Sequence, residues 1–272
     1  LVYSDYITTV SRSYAEEIQT PNFSDGLDDI LRWRRDRLWG IVNGIDYSIW
    51  NPAKDEKIEA KYNLVNFRAK KKENKIALQK RLGLKENPDV FTIGLISRLT
   101  DQKGLDILDR AMDQLCSKNI NLIILGKGEE YYENMMRYYE NKYRGKVSAN
   151  ICYSDELSHQ IYASSDALLV PSAFEPCGLT QLIALKYGTI PIVHEIGGLK
   201  DTVKPYNEFE KTGTGFSFNG YSSELLLDRI NHAFYTYYDR NKDWNDIARR
   251  AMKEDWSWTN SSKIYEKLYN EM

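Results

Sequence analysis

The chain has 272 residues, a length that allows one large domain or two small ones and a sizeable buried core. Apolar residues make up 42% and charged residues 28%, which is ordinary globular composition and excludes the disordered and fibrous classes. The 37 basic and 39 acidic residues give a net charge of -2. This balance argues against a nucleic-acid partner, because general nucleic-acid binding needs a basic excess.

Neither membrane insertion nor a disulfide framework is indicated. The longest apolar runs have the length of a strand and fall far short of the roughly 20 residues that a membrane span needs. No charged-then-apolar signal sequence opens the chain. The three cysteines, Cys116, Cys152 and Cys177, are widely spaced and form no CxxC pair. We therefore expect a reduced, cytosolic protein with no membrane partner.

The first ninety residues show no regular alternation of strands and helices. Strand patterns occur at 5–10 and 40–42, and a charged helix is predicted at 27–38. A turn follows at 43–46, and residues 66–82 predict a long lysine-rich helix. We interpret this part as a connector or as the remnant of something larger.

From residue 90 onward, apolar runs of strand length alternate with amphipathic stretches of helical period. The predicted strands cover 90–96, 121–125, 147–153, 166–171, 190–194 and 215–218, and the predicted helices 104–117, 129–143, 155–164, 179–187 and 222–238. Asp155 is the expected N-cap of its helix. Strands that are apolar on both faces and alternate with helices indicate a doubly wound α/β domain with a parallel sheet. Ligands of such a domain bind at the carboxyl ends of the strands.

The loop after the first of these strands, residues 97–104, carries two cations, Arg98 and Lys103. Two cations on one short loop ahead of a helix suit a polyanion such as a diphosphate. Taken alone, the pair is also explained as two ordinary surface charges.

The loop after the second strand, residues 125–129, begins with Gly126. A glycine at a strand end lets a ligand approach the backbone closely. The motif does not extend to GxGxxG, because Tyr131 stands at the third glycine position. A dinucleotide-dependent oxidoreductase therefore has little support.

The loop at 171–180 joins a strand to a helix whose start is predicted near Gly178. Backbone N–H groups at such a start attract anions, and Glu175 just before it can accept hydrogen bonds from sugar hydroxyls. Cys177 has no histidine near it in sequence, so a cysteine nucleophile is not favoured. Together the three loops predict a site for a nucleotide diphosphate that carries a hydroxyl-rich group. No cluster has metal-ligand spacing, and we expect neither a metal nor a cofactor.

Four sequence segments resemble the signatures of bacterial glycogen synthases and plant starch synthases. They are the loop Ser97–Asp106, the string Glu175–Gln181, the pair Pro191–Val193 and Gly197–Val203, and the stretch Asn43–Asp46 with Trp50–Pro52. The likeness runs from end to end. It implies the second, Rossmann-like domain of a two-Rossmann-domain retaining glucosyltransferase. Such enzymes transfer glucose from a nucleotide diphosphate sugar to the non-reducing end of an α-1,4-glucan.

The resemblance also implies roles for individual residues. Arg98 and Lys103 would hold the diphosphate and stabilise it as it leaves, and Glu175 would lie beside the donor sugar. Tyr153 matches the family position that stacks on the base, although without the resemblance a strand-end core aromatic is the preferred interpretation. Gly126 would border the donor, and backbone groups would bind its hydroxyls and phosphate at Cys177, Gly178, Leu179 and Thr180.

The main departure from the family concerns the first domain, whose main body has no counterpart here. We expect residues 1–42 to be the remnant of that domain and the hinge. Residues 43–257 would form the nucleotide-sugar-binding domain, and 258–272 a C-terminal helix that crosses back to the missing domain. Where related enzymes have a second glutamate, eight residues after Glu175, this chain has Ile183, so Glu175 would act alone.

Several alternatives remain open from the sequence. The chain by itself could be a non-catalytic nucleotide-sugar-binding module, or part of a related glycosyltransferase with another donor. ADP-glucose rather than UDP-glucose follows from the bacterial branch by analogy. The expected partners are ADP-glucose or ADP, an α-1,4-glucan acceptor and the first domain. The expected compartment is the bacterial cytoplasm, or the plastid for a plant or algal protein.

Overall fold

A computed structural model describes residues 1–271. The main sheet has six strands, which are β3 (Phe91–Ile96), β4 (Ile120–Leu125), β5 (Val147–Asn150), β6 (Ala167–Val170), β7 (Ile190–His194) and β8 (Phe216–Phe218). All are parallel, in the order β5-β4-β3-β6-β7-β8. This is the order of a doubly wound Rossmann sheet, so the predicted fold class is confirmed.

Helices connect these strands and cover both faces of the sheet. They are α3 (Phe67–Arg81), α4 (Leu105–Cys116), α5 (Glu130–Lys142), α6 (Asp155–Ser164), α7 (Thr180–Lys186), α8 (Gly197–Thr202), α9 (Ser223–Asp239) and α10 (Asn241–Lys253). Strand β4 shows why both faces are apolar. Leu122 and Ile124 enter the large core cluster, whereas Ile123 and Leu125 pack with Leu78 of α3 in a second cluster. Burial on both faces favours continuous apolar runs over alternation.

The amino-terminal part differs from the sequence prediction. Strands β1 (Ile7–Thr9) and β2 (Leu38–Gly40) pair in parallel, and α1 (Arg12–Glu17) and α2 (Asp28–Trp33) lie between them in the chain. Strand–helix alternation therefore does occur before residue 90. Strand β2 also begins two residues earlier than the predicted strand at 40–42. Both strands are only half-buried, which explains why their apolar signal is weak.

Three helices, α1, α8 and α10, have no counterpart in the sequence prediction. Helix α8 is short and begins with two glycines, which are poor helix formers. Helix α10 is rich in charged and amide side chains and buries Trp244, Ile247 and Ala251 on one face. Its apolar residues follow the helical period, but they are few.

The carboxyl-terminal helix α11 (Trp258–Asn270) forms where a terminal helix is expected. Its beginning lies against the turn at 43–46, since the Ile45 amide donates to the Trp256 carbonyl at 2.8 Å. Among residues 1–271, no helix is both long and apolar enough to cross a membrane.

Candidate functional site

A cavity of about 490 Å³ lies at the carboxyl edge of the sheet. The strand order reverses between β3 and β6, and a crevice forms at such a switch point. We call it the switch-point cavity. Its lining includes four predicted site residues, Arg98, Gly126, Tyr153 and Thr180. The fold therefore brings residues from four different strand ends together in one place.

The loops after β3 and β4 continue side by side beyond the sheet. The amide of Ser97 donates to the Leu125 carbonyl at 3.1 Å, and that of Leu99 to Lys127 at 3.1 Å. A Cβ on Gly126 would overlap the Ser97 carbonyl oxygen. The glycine thus allows the two loops to approach, besides lining the cavity, and this packing reason was not visible in the sequence.

Arg98 is the cation that lines the cavity. Its side chain is exposed, and within residues 1–271 no carboxylate lies within 4.0 Å of it. An unpaired guanidinium can bind phosphate oxygens through two parallel hydrogen bonds. Arg98 is therefore suited to bind an anionic group in the cavity.

Lys103 is placed by the turn that ends at Gly104. Gly104 has φ +72°, and a Cβ there would overlap the Pro171 carbonyl at the end of β6. Because the turn packs so closely, the Lys103 Nζ lies 2.6 Å from Glu175 Oε2. Their side chains are only 15% and 12% exposed. Lys103 and Glu175 therefore pair with each other. Neither of them lines the switch-point cavity, which is formed by other residues.

Three residues that the sequence did not single out as site residues hold Glu175 in place. The Ser172 hydroxyl donates to Glu175 Oε2 at 3.0 Å, and His194 Nδ1 lies 2.9 Å from the Ser172 carbonyl. The amide of Gly198 donates to the Glu175 carbonyl at 2.9 Å. Gly198 lies in a recognisable motif and Ser172 in the predicted site loop at 171–180, whereas sequence inspection had no direct signal for His194.

The loop of Cys177, Gly178 and Leu179 leads into α7, which begins at Thr180. Burial raises the pKa of the Cys177 thiol, so the thiolate is disfavoured. Gly178 has φ +69°, and Leu179 is 45% exposed. The buried amide of Gln181 donates to the carbonyls of Cys177 and Gly178 at 2.9 and 2.8 Å, which fixes the loop.

Tyr153 lies three residues beyond the end of β5, in the segment that leads into α6. Its side chain is 92% exposed at the cavity, so it is not a core aromatic. The N-cap of α6 is Ser154, whose hydroxyl accepts from the Leu157 amide at 3.2 Å. The expectation that Asp155 is the N-cap is wrong, because the serine hydroxyl satisfies that amide first.

Helix α1 and its N-cap residue are hydrogen-bonded to the loops around Glu175. The Ser11 hydroxyl donates to the Pro176 carbonyl at 2.6 Å, and Glu17 Oε1 accepts from the Gly197 amide at 2.8 Å. Burial raises the pKa of Glu17, although the Gly197 hydrogen bond opposes this shift. Within residues 1–271, no group of three or more His, Cys, Asp or Glu could hold a metal ion.

Comparison with known families gives two matches. The sequence model of the glycosyl transferases group 1 matches residues 74–251. That of the starch synthase catalytic domain matches residues 1–33. The first match covers the main sheet, and the second covers the amino-terminal β1–α2 segment.

Individual relatives agree with these matches. A glycogen synthase of Lachnospira eligens is 56% identical over 272 residues, all of this chain and 57% of the relative. Starch synthase IV of Arabidopsis thaliana, solved with ADP and acarbose, has a TM-score of 0.90 at 34% identity over 99% of this chain and 56% of its own. Anabaena HepE, solved with UDP and glucose, shares the fold, with a TM-score of 0.68 at 17% identity over 99% of this chain and 64% of its own. The chain thus spans a little over half the length of its relatives.

Proposed function

This chain belongs to the group 1 glycosyl transferases, and from this premise we propose that it is the donor-binding half of a glycogen or starch synthase. The whole enzyme would act in the cytoplasm. It would transfer glucose from ADP-glucose to the non-reducing end of an α-1,4-glucan with retention of configuration. Residues 1–42 would belong to the hinge and the first domain, and α11 would return to that domain.

The observation that carries the proposal is the convergence at the switch-point cavity. An unpaired guanidinium (Arg98), an exposed aromatic ring (Tyr153) and a helix start (Thr180) line one space of about 490 Å³. Such a set suits the phosphates and the base of a nucleotide. The likeness to a starch synthase solved with ADP supports adenine as the base.

In the proposed reaction the bond between the glucose carbon and the diphosphate oxygen breaks, and a bond to the acceptor hydroxyl oxygen forms on the same face. The departing phosphate takes the proton of that hydroxyl. Arg98 and Lys103 would stabilise the negative charge as it develops on the diphosphate. Glu175, held by Lys103 and Ser172, would accept hydrogen bonds from the donor sugar. Neither a metal nor a cofactor enters these steps.

The test is calorimetric titration of this chain with ADP, UDP and ADP-glucose in the absence of metal. We expect ADP to bind more tightly than UDP, and Arg98→Ala to weaken ADP binding at least tenfold. Arg144→Ala is the matched control, because Arg144 lies before β5 at the opposite edge of the sheet. Equal ADP affinity in the Arg98→Ala and Arg144→Ala variants would contradict the role of Arg98.

If this chain binds none of the three nucleotides, a second measurement is needed. The same titration of a longer protein that includes the first domain would then distinguish two causes. Binding there would mean that the first domain completes the site. Continued absence of binding would reject the proposed donor.

A further inference from the structure

A second cavity, of about 240 Å³, lies at the opposite end of the sheet from the switch-point cavity. It is enclosed by α3, by the residues just before β6 and β7, and by α9 and α10. Four basic side chains of α3 line it: Arg68, Lys71, Lys72 and Lys75. We call it the basic cavity. None of these residues has a role in the proposed transfer reaction.

The charges around the basic cavity do not balance. Its lining contains four cations but only two carboxylates, Asp89 and Asp166. Lys72 pairs with Asp89 at 2.6 Å, and Lys75 pairs with Asp166 at 2.6 Å. Both carboxylates are therefore already neutralised, and two cations remain.

The first of these is Lys71, which is buried. Its ammonium donates to the carbonyls of Tyr162, Ala163 and Tyr187 and to the Thr189 hydroxyl, at 2.8 to 3.3 Å. All four partners are uncharged. Burial lowers the pKa of Lys71 to about 7, and the charge of Asp166 offsets this only in part.

The second is Arg68, on the exposed side of the cavity. Within residues 1–271, it has neither a carboxylate within 4.0 Å nor a hydrogen-bond acceptor. Its five N–H donors are therefore available to a ligand. A planar guanidinium near a buried ammonium favours a compact anion with several oxygen atoms.

We propose that the basic cavity binds a phosphate group, either as inorganic phosphate or as the ester of a small metabolite. The volume equals that of roughly eight waters at about 30 Å³ each, which is enough for a phosphate and a few further heavy atoms. Phe67, Tyr237 and Trp244 supply an apolar wall for an organic part. A full nucleotide does not fit this volume, so the ligand differs from the donor.

The test is calorimetric titration of this chain at pH 7 with inorganic phosphate, glycerol phosphate and glycerol. We expect both phosphates to bind and glycerol not to bind. Arg68→Ala should weaken phosphate binding at least tenfold and leave ADP binding unchanged. Tighter binding of glycerol phosphate than of inorganic phosphate would identify an ester as the ligand class.

Arg98→Ala is the matched control, because phosphate could also enter the switch-point cavity. We expect Arg98→Ala to leave the basic cavity's phosphate affinity unchanged. Loss of phosphate binding in Arg98→Ala but not in Arg68→Ala would overturn the proposal, and so would the absence of phosphate binding in the unsubstituted chain. Because ADP and phosphate are titrated separately, failure of this site is distinguishable from failure of the proposed donor.

Lys71→Met provides a second variant, which retains most of the side-chain volume but removes the cation. Circular dichroism would establish that it folds. In the folded variant we expect phosphate binding to weaken at least tenfold, and an affinity equal to that of the unsubstituted chain would contradict the involvement of Lys71.

Discussion

Lys103 and Glu175 form an ion pair that is largely shielded from water, with 2.6 Å between Nζ and Oε2. Partial burial strengthens such a pair compared with one in bulk solvent. Because Ser172 also donates to the same oxygen, the carboxylate is held by two donors. At the residue scale, therefore, Glu175 is oriented before any ligand arrives, and such preorganisation favours catalysis.

Lys103→Ala should lower turnover by at least tenfold, or roughly 1.4 kcal/mol, in a protein that includes the first domain. The reason is that the departing diphosphate would lose one of its two cations. Steady-state kinetics with ADP-glucose and glycogen would measure the effect. Lys85→Ala is a useful control, since Lys85 is exposed, makes no ion pair within residues 1–271 and lies before β3 at the opposite edge of the sheet. Unchanged turnover in Lys103→Ala would remove this lysine from the leaving-group role.

Ser172→Ala should reduce turnover about threefold to tenfold, because Glu175 would lose a hydrogen bond worth about 1 kcal/mol. The donor KM should change less than kcat if Ser172 only positions Glu175. Ser172→Thr, which keeps the hydroxyl, should recover part of the loss. Ser262→Ala is the control, because within residues 1–271 its hydroxyl donates only to the Thr259 carbonyl in the exposed helix α11. Equal kinetics of Ser172→Ala and Ser262→Ala would contradict this role.

At the scale of elements, α3 is attached to the sheet by a buried ion pair. The ammonium of Lys75 lies 2.6 Å from Asp166 Oδ2, and their side chains are 2% and 10% exposed. The same carboxylate accepts from the Thr92 amide at 2.8 Å, at the start of β3. One carboxylate thus joins a helix to two strands, and the lysine-rich helix is only partly a solvated surface.

Asp166→Ala should lower the free energy of unfolding by about 3 to 5 kcal/mol, because it leaves the Lys75 ammonium buried without a counter-charge. Urea denaturation at pH 7 would measure the change. Lys70→Ala on the same helix breaks the exposed pair with Glu73 and should cost less than about 1 kcal/mol. Similar losses in the two variants would show that burial does not distinguish the pairs.

At the scale of the whole molecule, Lys71 connects α3 to the carboxyl ends of α6 and α7, near the centre of the fold. Its charge is poorly compensated there: burial has the largest effect on its pKa and lowers it, Asp166 raises it and Lys75 lowers it further. A buried cation of this kind makes the stability of the protein depend on pH.

The sign of this dependence follows from the two pKa values of Lys71, about 7 in the folded chain against an ordinary 10.5. Between these values the unfolded chain binds more protons, so stability rises with pH. From pH 7 to 9 we expect the free energy of unfolding to gain about 2 kcal/mol from Lys71. Lys71→Met should flatten this part of the profile, whereas Lys70→Met should not. Parallel profiles for the two variants would contradict the assignment.

The sequence alone determined the main sheet and the loops that carry chemistry. Apolar runs of strand length predicted all six strands of that sheet, most clearly the central strands β3, β4, β6 and β7, because strands buried on both faces favour apolar residues. The strand ends then located Arg98, Gly126, Tyr153 and Thr180 at one edge, and the structure places all four around one cavity. The half-buried strands β1 and β2 and the short helices α1 and α8 gave weaker patterns, and their boundaries or existence were misjudged. Helix α10 was missed although its apolar residues follow the helical period.

Only the tertiary structure determined the contacts between residues that are distant in the chain. Ser172 and His194 support Glu175 although His194 lies 19 positions after it in the sequence. Lys75 meets Asp166 across 91 positions. The spacing of apolar residues along the sequence indicates which face of a helix or strand is buried. It does not indicate which polar groups contact each other in the interior. These polar contacts depend on strand order and helix packing. For this reason the basic cavity and the residues that hold Glu175 could be recognised only in the folded structure.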